Sequence, residues 1–216
     1  MKVWEAQLIA GTLSDPSKMP GKAFGLPALK ACPTGSKLAK IDGSVCSICY
    51  GCNGCYQFPS TIDAQDYRLA MLRTRPAEVW VEAMTTMIKS ACRNMPYFRW
   101  HDSGDLISAS HLAKVLAVCK NLPKIHFWLP TKEVKLMMQI HEQNWLIPKN
   151  VCIRLSAPMI DKDNITTVIA KGMGIQSSGV TKDPKKVTCR ATKENGCGKC
   201  RKCWNKKYQH IIYKEH

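Results

Sequence analysis

The sequence predicts an α/β fold in which parallel strands are joined by helical crossovers, so that the sheet forms an open or partial (β/α) barrel. Three observations predict this fold. Segments with strand and helix patterns alternate between residues 97 and 155. Their connections are long enough for helical crossovers, which join parallel strands. Polar residues follow the predicted strands, as in folds whose strand-to-helix loops converge on one binding edge.

The individual elements follow from periodicity and capping signals. Residues 64–72 have helical spacing, and Pro76 opens a second helix. Ser108 or Ser110 can cap a later helix. From residue 97 onward the predicted order is strand 97–100, a helix that ends near residue 121, strand 125–129, helix 133–144 and strand 151–155. Residues 158–181 have weaker periodicity, and their glycines mark turns.

Length and composition point to one globular domain. The 216 residues are 45% apolar and 22% charged, which excludes disorder as the main state. We divide the domain into a Cys-rich N-terminal segment (1–60), an α/β core (61–181) and a basic Cys-rich C-terminal segment (182–216). No apolar run approaches the roughly 18 residues that span a bilayer, and the first residues lack a signal-peptide pattern. We therefore expect a cytoplasmic protein with no membrane partner.

The twelve cysteines indicate a metal cofactor, because thiols in a reducing cytosol more often hold metal than form disulfides. Cys197, Cys200 and Cys203 form a C-x2-C-x2-C run, and Cys189 precedes them by eight residues. Such a run wraps successive thiolates around a [4Fe–4S] cubane, whereas a zinc site usually takes two C-x2-C turns from separate segments. These four cysteines are the predicted ligands of one cluster.

A second group of cysteines lies near the N-terminus. Its members are Cys46, Cys49, Cys52 and Cys55. Their spacing is similar to a ferredoxin run whose last gap is one residue shorter, so this stretch is a second candidate cluster site. Two alternatives stay open: each stretch forms half of a zinc ribbon, or both stretches meet in one shared site. The isolated Cys92, Cys119 and Cys152 lie in apolar patterns and are predicted core residues.

A radical S-adenosylmethionine enzyme is a further possibility. Such enzymes normally have a C-x3-C-x2-C motif, in which three thiolates leave one iron open for the cofactor. The chain lacks this spacing. A three-cysteine site could still form from Cys32, Cys46 and Cys49, so S-adenosylmethionine remains a candidate cofactor.

Four polar residues near the strand ends are candidate catalytic residues. His101 and Asp102 follow the first predicted strand, and a histidine beside an aspartate suits proton transfer or substrate orientation. Lys132 follows the second strand. Arg154 lies on the third, where a guanidinium needs an anionic partner such as a protein carboxylate or a substrate oxygen. Asp105 could equally serve as a turn residue.

The net charge of +16 is concentrated near the C-terminus. Residues 182–216 contain 11 Lys plus Arg and three acids, which is half of the excess. Trp204 and Tyr208 lie among these cations, and aromatic rings interleaved with cations suit single-stranded nucleic acid. The alternative is that thiolate charge and a solvated terminal helix account for the basic residues.

Several motifs recur in a fixed order: FGLPA (24–28) leading to CPTGSKL (32–38), GSVCSICY (43–50), FRWHDSGD (98–105), WLPT (128–131) and CGKCRKCW (197–204). Together they resemble the gene product 88 family of bacteriophage proteins, over about residues 18–204. The resemblance implies a phage or mobile-element origin, hence the host cytoplasm, and a cysteine-bound iron–sulfur centre without an established reaction. The metal ligands that it implies are Cys32, Cys46, Cys49, Cys189, Cys197, Cys200 and Cys203.

The chain departs from the family pattern at Cys52 and Cys55, where the family has other residues. The N-terminal ligands are therefore either the four cysteines 46, 49, 52 and 55, or Cys32, Cys46 and Cys49 supplemented from elsewhere.

The sequence thus predicts a phage-encoded protein that binds at least one [4Fe–4S] cluster. If it is an enzyme, we expect redox or radical-type chemistry, an anionic group held by Lys132 and Arg154, and a redox partner. One alternative is a zinc-stabilised protein that binds nucleic acid through its basic segment. The other is a radical S-adenosylmethionine enzyme with atypical cysteine spacing.

Overall fold

The computed structural model describes residues 1–192 and 194–215. Six parallel strands form one sheet in sequential order, with β1 and β6 at its two edges. The strands are β1 (Lys22–Phe24), β2 (Tyr97–Trp100), β3 (His126–Thr131), β4 (Val151–Ser156), β5 (Gln176–Thr181) and β6 (His210–Lys214). The predicted α/β fold with an open, barrel-like parallel sheet is confirmed.

The described part of the chain also contains seven α-helices. They are α1 (Val3–Ala10), α2 (Gly35–Leu38), α3 (Pro59–Thr74), α4 (Ala77–Ala91), α5 (Ala109–Asn121), α6 (Val134–Glu142) and α7 (Asn164–Gly172). The Ser108 hydroxyl caps α5 by accepting a hydrogen bond from the amide of His111 at 3.1 Å, as its sequence position predicts. None of the helices in the described residues is long and apolar enough to cross a membrane.

The main helices pack on one face of the sheet. Right-handed crossovers place successive helices on the same face when strands are added in one direction. In β2, Phe98 and Trp100 point into the apolar core between sheet and helices. The alternate residues Tyr97 and Arg99 lie on the opposite face, since side chains alternate along a strand.

The C-terminal segment covers that opposite face. Cys203 and Trp204 pack against Trp128 of β3 and Ile211 of β6 in a second, smaller apolar cluster. The indole N–H of Trp204 donates a hydrogen bond of 2.8 Å to the carbonyl oxygen of Phe98. The connection from β5 to β6 therefore packs on the sheet without an α-helix of its own in the described residues.

Arg154 attaches this segment to the sheet. Its side chain is fully buried, and its guanidinium donates hydrogen bonds of 2.9–3.2 Å to four backbone carbonyl oxygens. The carbonyls belong to Ser177 on β5 and to Lys202, Cys203 and Asn205 in the C-terminal segment. Backbone oxygens thus supply the partners for which the sequence predicted a carboxylate or a substrate oxygen.

The prediction of elements from sequence succeeds in the middle of the chain and fails at its ends. Strand 97–100 has the predicted bounds, and the other predicted strands and helices differ by a few residues. The sequence does not predict the strands β1, β5 and β6 or the helices α1, α2 and α7. The solvated terminal helix is wrong, because residues 210–214 form β6. β1 has only three residues and is too short to show an alternating pattern. β5 is largely polar under the C-terminal segment that covers it, so it lacks the apolar pattern that predicts a buried strand.

We expect Arg154→Met to release the C-terminal segment, because the four carbonyl oxygens would stay buried without a donor. The free energy of unfolding in urea should fall by at least about 3 kcal/mol. Limited proteolysis should first cut within residues 182–209. The exposed Arg93 provides the control, and Arg93→Met should change the unfolding free energy by less than about 0.5 kcal/mol. Equal stability of the two variants would show that Arg154 is not the attachment point.

Candidate metal centres and active site

The N-terminal cysteine segment lies along the carboxyl edge of the sheet. After β1 the chain crosses this edge, and its backbone bonds to the loops that follow β2 and β4. The amide of Leu26 donates to the carbonyl of Ser103 and that of Val45 to the carbonyl of Pro158, both at 2.9 Å. In return the amide of Asp105 donates to the carbonyl of Ala31 at 2.9 Å. The segment thus lies where ligands bind in parallel α/β folds.

Four thiols of this segment come together. Burial raises the pKa of Cys32 to about 12, and it also raises the pKa of Cys46 and Cys52. The neighbouring Cys49 raises the pKa of all three further. Cys55 is exposed and is not among these neighbours. The structure thus groups Cys32 with Cys46, Cys49 and Cys52.

Two glycines leave room for the backbone to approach these thiols. A Cβ atom at Gly35 would lie 2.9 Å from the Cβ of Cys32 and 3.4 Å from the sulfur of Cys46. A Cβ at Gly51 would lie 3.5 Å from the sulfur of Cys49. At Gly35 a side chain would collide with Cys32, so the close approach of the backbone to this thiol requires glycine there.

Acidic side chains hold the Cys32 loop at the ends of β2 and β3. Glu133 accepts hydrogen bonds from the amide and the hydroxyl of Thr34, at 2.8 and 2.7 Å. Asp105 accepts from the amide of Lys132 at 2.8 Å. Burial raises the pKa of Asp105 to about 6, although the hydrogen bonds that its carboxylate accepts act to lower it. Lys132 supplies positive charge here, because it acts to lower the pKa of Cys46.

The four C-terminal cysteines form a second group on the face of the sheet opposite the helices, which we call the inner face. Burial raises the pKa of Cys203 to about 12, and Cys189 and Cys197 raise it further. Burial also raises the pKa of Cys197, and the nearby Cys189 and Cys200 raise it further. The sulfur of Cys203 lies 3.2 Å from the phenol oxygen of Tyr213. The four predicted C-terminal ligands are therefore neighbours, and Cys200 is the exposed one.

Two arginines place positive charge beside this second group. Both Arg201 and Arg99 act to lower the pKa of Cys197. Arg201 donates to the carbonyl oxygens of Gly198 and Cys200 and lies over the ring of Tyr97 at 5.0 Å. The cysteine loop is thus folded around a guanidinium whose positive charge favours the thiolate form of Cys197.

Arg99 also reaches towards the N-terminal group. Its guanidinium donates to the phenol oxygen of Tyr50, the residue after Cys49, at 2.9 Å. The guanidinium carbon lies 4.4 Å from the ring centre of Trp128, whose ring centre is 5.4 Å from that of Trp204. A continuous series of contacts therefore joins Cys49 to Cys203, because Trp204 follows Cys203 in the chain.

His101 and Asp102 are both buried after β2, where Asp102 contacts Tyr56 of the N-terminal segment and the ring centre of His101 lies 5.1 Å from that of His111 on α5. His101 has a φ of 56° and is 2% exposed, and neither ring nitrogen has a hydrogen-bond partner. Burial lowers its pKa well below the usual value, so its imidazole is neutral. Asp102 accepts from the Tyr56 hydroxyl at 3.3 Å, while its other carboxylate oxygen is unpaired. Buried polar atoms without partners mark a place where a ligand or water can bind.

The predicted catalytic residues do not form one cluster. His101, Asp102 and Lys132 lie at the carboxyl edge, whereas Arg154 is occupied by the C-terminal segment on the inner face. Sequence reasoning missed Glu133 and Thr34, which meet across 99 residues and leave no local signal. In the part of the chain that the structure describes, no three His, Cys, Asp or Glu side chains are arranged to hold a single metal ion.

Comparison with known proteins gives one match. The family model described as gene product 88 matches residues 4–206. No curated protein and no solved structure matches the chain.

We expect Glu133→Ala to loosen the Cys32 loop, because Thr34 loses both of its hydrogen bonds to the carboxylate. Iodoacetamide should then alkylate Cys32 about ten-fold faster in protein stripped of metal by a chelator, as peptide mass spectrometry can measure. Glu142→Ala, at the exposed end of α6, is the matched control and should leave the rate unchanged. Equal Cys32 rates in both variants would contradict this role for Glu133.

Proposed function

The chain belongs to the gene product 88 family, and we propose that it is a phage-encoded iron–sulfur protein of the host cytoplasm. It binds one [4Fe–4S] cluster through Cys189, Cys197, Cys200 and Cys203. A second cluster is bound at the carboxyl edge of the sheet by Cys32, Cys46 and Cys49, with Cys52 beside them. Cys55, a candidate ligand by spacing, takes no part.

The observation that carries this proposal is the gathering of eight thiols in two groups. Burial favours the neutral thiol, and each thiolate formed would disfavour the next. A positively charged metal centre relieves both effects, because it bonds to thiolates and displaces their protons. The run from Cys197 to Cys203 in one short loop suits a cubane, whose separate irons each take one sulfur.

The positions of the two groups support different roles. Asp102 bonds to Tyr56 of the N-terminal segment, and its other carboxylate oxygen and both ring nitrogens of His101 are buried without partners, so we place the substrate at this edge. Lys132 balances negative charge at this edge. When bound, the clusters supply one-electron redox or radical-type chemistry. His101, held neutral by burial, can accept a hydrogen bond from a substrate group or orient it.

We expect protein purified without oxygen to be brown, with about eight irons and eight acid-labile sulfides per chain. Cys46→Ser and Cys197→Ser should each reduce the iron content towards about four, because each removes a ligand of a different cluster. Cys55→Ser is the matched control in the N-terminal stretch and should keep the full content. Colourless protein with stoichiometric zinc would contradict the proposal and favour the zinc-stabilised alternative.

A second candidate function is that of a radical S-adenosylmethionine enzyme. The observation that favours it is the grouping of Cys32 with Cys46 and Cys49 in the loop that follows β1. If these three thiolates hold the N-terminal cluster alone, one iron stays open for the amino and carboxylate groups of S-adenosylmethionine.

We expect dithionite-reduced protein to cleave S-adenosylmethionine reductively to methionine and a deoxyadenosyl product, measured by chromatography. Cys52→Ser should retain cleavage and iron, because Cys52 would not be a ligand, whereas Cys32→Ser should abolish cleavage. Absence of cleavage in protein with its full iron content would remove this candidate and leave the iron–sulfur proposal in place.

A further inference from the structure

Within the C-terminal thiol group, Cys200 is the member that reaches the surface of the protein. Cys200 is exposed, whereas Cys203 of the same group is buried and Cys189 and Cys197 are half-buried. Three cations flank the group in the chain: Arg190 follows Cys189, Lys199 precedes Cys200, and Lys207 lies four residues after Cys203. All three cations are exposed.

Two sets of cations near the C-terminal thiol group differ in their contacts. Arg99 and Arg201 act on Cys197 and are engaged with backbone carbonyls or aromatic rings, so they offset thiolate charge. No ion pair among the described residues involves Arg190, Lys199 or Lys207. This second set gives an outward-facing positive potential that the requirements of a metal site do not explain.

Of the rings of Tyr97, Trp204 and Tyr208, only that of Tyr208 is exposed, by 42%, so the aromatic surface for stacking nucleic-acid bases is small. Trp204 is 5% exposed and its indole N–H is bonded to the carbonyl oxygen of Phe98. Tyr97 is covered by Arg201, and the ammonium of Lys202 lies 5.3 Å from the ring centre of Tyr208. Binding of single-stranded nucleic acid usually combines cations with several free rings, whereas one partly exposed ring is present here, so these contacts favour an acidic protein instead.

We propose that the surface formed by Arg190, Lys199, Lys207 and the exposed Cys200 is the docking site of an acidic one-electron carrier protein. The inference rests on the proposed function, since the C-terminal cluster is the acceptor. One electron leaves the reduced carrier and enters this cluster, whose charge falls from 2+ to 1+. The contacts through Trp204, Trp128, Arg99 and Tyr50 connect that cluster to the N-terminal one.

Stopped-flow reduction by a fully reduced bacterial flavodoxin, which is acidic, tests the proposal. The second-order rate constant should fall at least about ten-fold between about 20 mM and about 300 mM salt, because salt screens the attraction. The triple variant Arg190→Glu, Lys199→Glu and Lys207→Glu should be at least about ten-fold slower at low salt. The control variant reverses the exposed Lys120, Lys135 and Lys171 of helices α5, α6 and α7 and should stay within about two-fold of the unchanged protein.

The outcomes separate the two proposals. A rate in iron-loaded protein that responds neither to salt nor to the triple variant overturns the docking site. Tight salt-dependent binding of a fluorescent oligothymidylate that is lost in the triple variant, with an unchanged flavodoxin rate, overturns it in favour of nucleic acid. Iron-free protein overturns the proposed function instead. In that case equilibrium binding of oxidised flavodoxin still decides the docking site: loss in the triple variant supports it, and no binding overturns it.

Discussion

The burial of the Arg154 guanidinium is the constraint on which the rest of the structure depends. A fully buried guanidinium needs hydrogen-bond acceptors for its N–H groups. The neighbouring strands supply the carbonyl of Ser177, which is too few acceptors for the whole group. The carbonyls of Lys202, Cys203 and Asn205 supply the remainder, so the C-terminal segment must lie across the inner face of the sheet. That position brings Cys203 to Cys189 and Cys197 and buries Trp204.

The two thiol groups share a chemistry but differ in their surroundings. The N-terminal group lies among the carboxylates of Asp105 and Glu133, with Lys132 as a counter-charge. The C-terminal group lies among arginines and has one exposed member. Nearby positive charge favours the reduced form of a cluster, which supports the role of electron acceptor that we propose for the C-terminal group. The N-terminal group, beside unpaired buried polar atoms, suits the substrate.

Part of the fold and of the site could be predicted because the signal is local. The run from Cys197 to Cys203 contains three of the proposed cluster ligands within seven residues, and the apolar strand around Trp128 shows its own pattern. Other features have no local signal. Whether Cys32 or Cys55 lies beside Cys46, Cys49 and Cys52 depends on how the chain turns after β1, whereas sequence spacing alone favours Cys55. The strand β5 is polar, and it is covered by the backbone of the C-terminal segment, whose peptide groups are polar. Hydrophobic periodicity along the sequence therefore does not reveal this buried strand.

By itself the sequence determined the alternation of helices and strands, the parallel sheet that follows from long connections, and the presence of two thiol-rich segments. Tertiary structure decided which thiols are neighbours, that Arg154 holds backbone rather than an anion, and that Trp204 is buried while Lys199 and Lys207 face solvent. The physical reason is that periodicity and ligand spacing act over a few residues. The partners of a buried charge or thiol are instead chosen by packing between segments up to about a hundred residues apart.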